Sequence, residues 1–282
     1  MNVKENEVKE NLELHKLQLQ NFISTRQYAT WKCLEKKQVS IKNWLNYKLY
    51  HLDGNRFQFE EYDLVCKYIR KEIRKIDHVG LANELANYIH IKQLIECGCI
   101  SFSPGEELPI DLLNEIMLPR TTYARLTLNK QGKLFNHEAV QSEPDKMPVF
   151  LEVQHELSLF NARQQRIQTF ESEYRRILDS INELGEPFKC EYGTLSILEN
   201  KPQYDNTKAL EELGIETFLN HIKVDMDIVT QLRRLGIIDN FINRYVSVED
   251  IRVDFIVQSL ESEKKLNQYL DKKVELFKQR IG

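Results

Sequence analysis

Two stretches in which apolar residues recur at alternating three- and four-residue intervals constrain the fold of this chain most. The first runs Phe150, Val153, Leu157, Phe160, Gln164, Ile167, Glu171, Tyr174, Leu178, Ile181, and only Gln164 and Glu171 are not apolar. The second runs Val253, Ile256, Leu260, Glu263, Asn267, Leu270, Val274, Phe277, Ile281, with Glu263 and Asn267 as its polar members. A strand alternates with period two, so this period, kept over several heptads, predicts helices that pack along a seam. Pro148 suits a first helical turn, Leu184-Gly185 a stop, and Ser247 with Asp250 resembles a capping box. The expected helices cover 148–184 and 248–281, each about 50–55 Å long at 1.5 Å per residue.

Matched lengths let these two helices lie antiparallel if the chain reverses between them. In that register Gln164 falls beside Asn267, and Glu171 near Glu261, Lys264 and Lys265. Polar layers then coincide, which fixes register at some cost in stability. The expected seam is Leu157, Phe160, Gln164, Ile167 and Tyr174 against Leu260, Asn267, Leu270 and Val274. A stripe this regular also suits association with a second chain.

Only 10 glycines and 7 prolines occur among 282 residues, about half the usual share. So few turn-formers point to helix elsewhere too. Amphipathic patterns cover 1–24, 26–50, 59–76 and 79–96, with a turn at Asp53-Gly54-Asn55 and a stop at Gly98. Residues 121–128 are β-prone, and Asn129-Lys130-Gln131-Gly132 suits a short loop, which predicts a β-hairpin over 121–138. A competing reading makes 109–126 a helix-turn-helix, with Arg120, Thr121, Thr122 and Arg125 opening the second helix. A break at 141–145 separates two domains. The expected fold is mainly α. It has a helical domain over 1–143 and an antiparallel coiled-coil arm over 144–282 with a small α+β head at 186–246. One or two short β-hairpins complete it.

The net charge of −4 hides an uneven distribution: residues 26–75 hold 12 Lys/Arg against 6 Asp/Glu. Lysines interleaved with aromatic rings can meet phosphates while the rings stack on bases. Lys32, Lys36, Lys37, Lys42, Lys67, Arg70, Lys71 and Arg74 are therefore candidates for nucleic-acid contact, with Arg120 and Arg125. The competing reading is packing: Trp31, Trp44, Tyr47 and Tyr50 at helical spacing suit a core, and the lysines a solvated face.

Catalytic patterns are missing. Scattered glycines form no GxGxxG or GxxxxGK[ST] phosphate loop, and neither GxSxG nor HExxH occurs. His78, His90, Cys97 and Cys99 are the nearest approach to a metal set, but their spacing matches no familiar zinc module. The five cysteines are odd in number and widely spaced, as for small buried hydrophobes in a reducing compartment. No apolar run is long enough to span a membrane and the N-terminus lacks a signal pattern, so a cytoplasmic location is expected. The expected function is non-enzymatic, without cofactor: an interaction or assembly protein that binds a protein partner, or itself, through the coiled-coil arm and its head. Its Lys/Glu/Asn/Ile-rich composition fits an AT-rich phage, viral or bacterial genome. The alternatives are a nucleic-acid-binding protein using 26–75 and, less favoured, a metal-dependent nuclease.

Overall fold

The computed structural model describes residues 2–102, 109–140, 150–238 and 241–281, except for the side chains of 2–9, 136–140, 150–152, 273–274 and 276–281. The chain opens with α1 (Asn2–Ser24) and α2 (Gln27–Leu49), then β1 (Arg56–Phe59) and β2 (Leu64–Ile76). Next come α3 (His78–Leu85), α4 (Ile91–Leu94), β3 (Gly98–Ile100), α5 (Ile110–Ile116), β4 (Thr122–Leu128) and α6 (Lys130–Val140). The middle holds α7 (Phe150–Ser158), α8 (Phe160–Leu184), β5 (Phe188–Cys190) and β6 (Gly193–Glu199). Last are α9 (Asn206–His221), β7 (Ile222–Val224), α10 (Met226–Arg234), β8 (Val246–Ser259) and α11 (Leu260–Ile281). The strands form three small antiparallel sheets, ordered β1-β2-β8, β3-β7 and β4-β6-β5, so the protein is mixed α/β rather than mainly α.

The chain divides into two interleaved units. The first contains residues 1–68, 121–200 and 255–263; the second contains 69–120, 201–254 and 264–282. The chain thus crosses between them within β2, between α5 and β4, after β6, within β8 and near the start of α11. The boundary expected at 143 falls outside the described residues.

In the first unit α8 carries the period seen in the sequence. Phe160, Ile167, Ile177 and Ile181 are buried, and Gly185 ends the helix in the left-handed conformation at φ 71°. Its partners are not the C-terminal helix. Ile167, Ile177 and Ile181 pack with Leu19, Phe22 and Ile23 of α1, Trp31 of α2, and Ala124 and Leu195 of the β4-β6 sheet. Phe160 packs with Leu157 of α7, with Ile41, Leu45 and Leu49 of α2, and with Leu64, Cys66 and Val257. The polar interruption is answered as well: Gln38 Nε2 donates to Gln164 Oε1 at 3.3 Å and to the Phe160 carbonyl at 3.2 Å. Arg163 beside it is 6% exposed and donates to Gln38 Oε1 and to Glu156. Tyr174 lies in an aromatic cluster with Phe22, Tyr28 and Trp31, whose ring centroids stand 5.4–5.8 Å from its own.

These contacts overturn the antiparallel arm. Gln164 faces Gln38 rather than Asn267, and residues 246–259 are strand, so the expected 248–281 helix begins only at Leu260. Alternation explains the strand: Val246, Val248 and the run Asp250–Asp254 also fit period two, which the heptad count from Val253 obscured. The amphipathic helix expected over 59–76 is likewise mostly strand β2. Val65, Ile69 and Ile73, four residues apart, share one side of a pleat as well as one face of a helix. Nor is 109–126 a helix-turn-helix: α5 is followed by β4, which pairs in register from Thr122↔Glu199 to Leu128↔Gly193. The β-hairpin expected over 121–138 loses its second half to α6, where Asn129 Oδ1 accepts from Gly132 N at 2.8 Å.

The second unit has its own core, in which Leu81, Leu85, Leu94, Ile116, Phe218 and Val229 are fully buried. Short polar side chains start its helices. Asp77, His90, Asp205 and Asp225 cap α3, α4, α9 and α10, answering amides that a helix start leaves without partners. Asn206 ties the unit together: Nδ2 donates to the carbonyls of Ile95 and Gly98 at 2.8 Å, and Oδ1 accepts from Ile100 N.

Phe160→Ala is expected to cost about 3–5 kcal/mol in urea unfolding, because it empties a core site. Leu270→Ala should change stability by less than about 0.5 kcal/mol, because Leu270 is exposed. Comparable losses from both would contradict these placements.

Candidate functional site

Two surfaces stand out for what leaves them uncovered. α11 starts cleanly: Ser259 Oγ accepts from Ser262 N at 3.0 Å, an N-cap twelve residues beyond the one expected at Ser247. The Leu260 amide donates to the Asp63 carbonyl. Glu263 then receives Arg56 Nη2 at 2.8 Å and Lys67 Nζ at 3.0 Å. Its carboxyl is held below the usual carboxylate range, first by the Arg56 hydrogen bond and then by Lys67.

Beyond that anchor the described side chains of the helix face solvent. Every described side chain from Lys264 onward is exposed. Leu266 is 45%, Tyr269 61% and Leu270 48% exposed, and they share one side of the helix by their i, i+3 and i+4 spacing. Asn267 is exposed beside them, and by sequence the period continues through Val274, Phe277 and Ile281. An isolated helix of this length is marginal in water, and most helices draw their stability from packing an apolar face. The seam residues Leu260, Asn267 and Leu270 therefore lie on a real helix whose apolar side meets no buried core among the described residues. The side chain of Val274 is outside the described set.

The second surface is the middle of the two long strands. Residues 69–75 of β2 and 247–253 of β8 are exposed throughout, and include Ile69, Ile73, Val248, Ile251 and Val253. Their charges are largely answered nearby: Arg74 pairs with Glu72 at 2.8 Å, and Lys75 approaches Glu249 at 3.9 Å. Asp254 is held below its usual range by Arg252 first, with the Lys71 charge adding to it.

The residues expected to contact nucleic acid are divided between the two units. Lys32, Lys36, Lys37, Lys42, Lys67 and Arg125 belong to the first unit, and Arg70, Lys71, Arg74 and Arg120 to the second. Lys32 pairs with Glu35 at 2.9 Å and lies 3.6 Å from the Trp31 ring centroid, while burial pushes the Lys42 ammonium below its usual pKa. Lys36 and Arg125 are exposed. Trp31 is buried, which favours the packing reading for that ring. At the end of α2, however, Tyr47 and Tyr50 are 58% and 71% exposed, and both rings meet His51 edge-on. Lys48 Nζ lies 5.8 Å from the Tyr47 ring.

His78 Nδ1 accepts from the Val224 amide at 3.1 Å and His90 Nδ1 from Lys92 N, so both rings have backbone work. Burial pushes the Cys97 thiol up to about 11 and the Cys66 thiol up to about 12, which suits inert packing. Cys99 is exposed, and all five cysteines are unpaired with one another. Among the described residues no three His, Cys, Asp or Glu side chains form a cluster able to hold a metal ion. No described helix is long and apolar enough to cross a membrane. Comparison with protein-family models, curated proteins and solved structures finds no match to this chain.

Two outcomes follow for α11. Its amides over 264–272 should exchange with solvent much faster than those of α8. Because the Glu263 pKa is depressed in the folded state, its anchor lends stability above the unfolded value of about 4.3 and loses it as pH falls through the lower folded value. Glu263→Gln should flatten that acid segment of the stability curve; an unchanged curve between about pH 3 and 6 would discount the anchor.

Proposed function

We propose that this protein is a non-enzymatic interaction protein that docks a partner helix along α11. The observation that carries this is the exposure of Leu266, Tyr269 and Leu270 on a capped and anchored helix. The cap and the ion pairs fix where the helix begins and so set the register of the stripe, which packing against a partner would stabilise. Helix-in-groove and coiled-coil partners are read by apolar anchors at this spacing. The exposed apolar residues of β2 and β8 offer a second contact surface.

Lysines 264, 265 and 272 lie next to the stripe in sequence and make the reading testable. Cross-linking of native assemblies, followed by mass spectrometry, should join these lysines to a recurrent partner. The joins should disappear in Leu266→Asp with Leu270→Asp while the circular dichroism of the remaining fold persists. Cross-links that survive the double change, or that avoid α11 altogether, would count against docking there.

A second reading rests on Tyr47 and Tyr50. Exposed rings beside Lys48 and His51 can stack on unpaired bases. Tyr50→Ala should then weaken binding of a single-stranded oligonucleotide about ten-fold, and the affinity should fall with salt. No binding by the unaltered chain at low salt would remove this alternative.

A further inference from the structure

We infer that Asp53-Gly54 is a site of covalent modification, at which Asp53 rearranges to an isoaspartyl link through a cyclic imide. The Gly54 nitrogen attacks Cγ of the protonated Asp53 carboxyl. A C–N bond forms, the carboxyl C–OH bond breaks, and the hydroxyl leaves with the amide proton as one water. Water then opens the imide. Addition at Cγ restores aspartate, whereas addition at the main-chain carbonyl carbon leaves the chain running through Cβ with the carboxylate on Cα. Water is the only co-reactant.

The reaction needs an unhindered backbone amide beside a free carboxyl, and the chain supplies this once. Of its 10 glycines, Gly54 is the one that follows an aspartate or asparagine. The pair lies in the loop between α2 and β1, where Leu52, Asp53, Gly54 and Asn55 are all exposed. Gly54 has φ 129°, a conformation open to glycine and to few other residues, and its missing Cβ leaves the nitrogen uncrowded. Among the described residues neither the Gly54 amide nor the Asp53 carboxyl has a hydrogen-bonding partner or an ion pair. Asp179-Ser180 is the internal contrast, because serine is the next smallest residue to follow an aspartate here. That pair lies inside α8, where the Arg176 carbonyl holds the Ser180 amide in the helix ladder and accepts from Ser180 Oγ at 3.0 Å. A nitrogen held there reaches the neighbouring carboxyl only when the turn opens.

The modified backbone is longer by one methylene between two fixed points. Leu52 N donates to the Leu49 carbonyl at 3.0 Å, and Tyr68 N to the Asn55 carbonyl at 2.8 Å. The second bond lies next to the β1-β2 ladder, which starts at Arg56↔Lys67. The isoaspartyl link therefore loosens the hold of Asn55 on Tyr68.

The test holds the full folded chain for weeks in mildly acidic buffer made with heavy-oxygen water. Digestion and electron-transfer fragmentation in a mass spectrometer then tell isoaspartate from aspartate at each position. Isoaspartate at position 53 should exceed that at 179 by at least about ten-fold, and heavy oxygen should enter at 53. Asp53→Asn should convert faster, with ammonia leaving in place of water. Asp53→Glu, whose ring would be one atom larger, should show no conversion. In the separated isoaspartyl form the Tyr68 amide should exchange with solvent at least about three-fold faster than in the unmodified chain. Isoaspartate that forms at 53 in urea but not in the folded chain overturns the site. So does equal conversion at 53 and 179 in the folded chain, or an Asp53→Asn chain that stays unconverted. Unchanged exchange at Tyr68 in the separated product overturns the loosening of the Asn55–Tyr68 bond.

Discussion

Arg163 is almost entirely buried and permanently charged, so α8 can lie only against a neighbour that answers it. Gln38 does so from α2, together with Glu156 from α7, and the same Gln38 amide satisfies Gln164 one residue along. A helix offering only apolar residues here would leave a charge without partners, at several kcal/mol. This polar layer commits α8 to α2. The face of α8 that the heptad count offered to the C-terminal helix is thus occupied by α2 and α7.

Of the two polar interruptions in the first seam, Gln164 meets Gln38 on another helix, whereas Glu171 pairs only with Arg175 on its own. What the sequence could not show was the partner. Gln38 sits between Lys37 and Val39 in an unremarkable amphipathic stretch, and nothing local distinguishes it from a surface glutamine. Gln164 and Asn267 matched by length and spacing, which many pairs of helices in one chain satisfy. Specificity here is a three-body matter among Gln38, Arg163 and Glu156, and heptad counting reports only apolar positions.

The strands were hidden for a different reason. β2 and β8 are long, charged and exposed over their middles, so neither presents the clean apolar alternation of a strand with one face on a core. Ile69 and Ile73, four residues apart, mimic a helix face while also lying on one side of a pleat. Charge pairing decides how the basic run reads as a surface. Sequence places the cations of 67–75 together, whereas the fold sets Glu263, Glu249 and Asp254 among them. The acidic remainder of the chain is thus used locally, and the field that would steer a polyanion is much reduced.

Energetics limit what the exposed residues Leu266, Tyr269 and Leu270 can do by themselves. Completing the burial of a half-exposed leucine or tyrosine yields about 1 kcal/mol each, since full burial of a large apolar side chain is worth roughly 1.5–3 kcal/mol. Three such residues do not offset the roughly 4–15 kcal/mol lost when two molecules associate. Any association along α11 therefore needs contacts beyond these three residues.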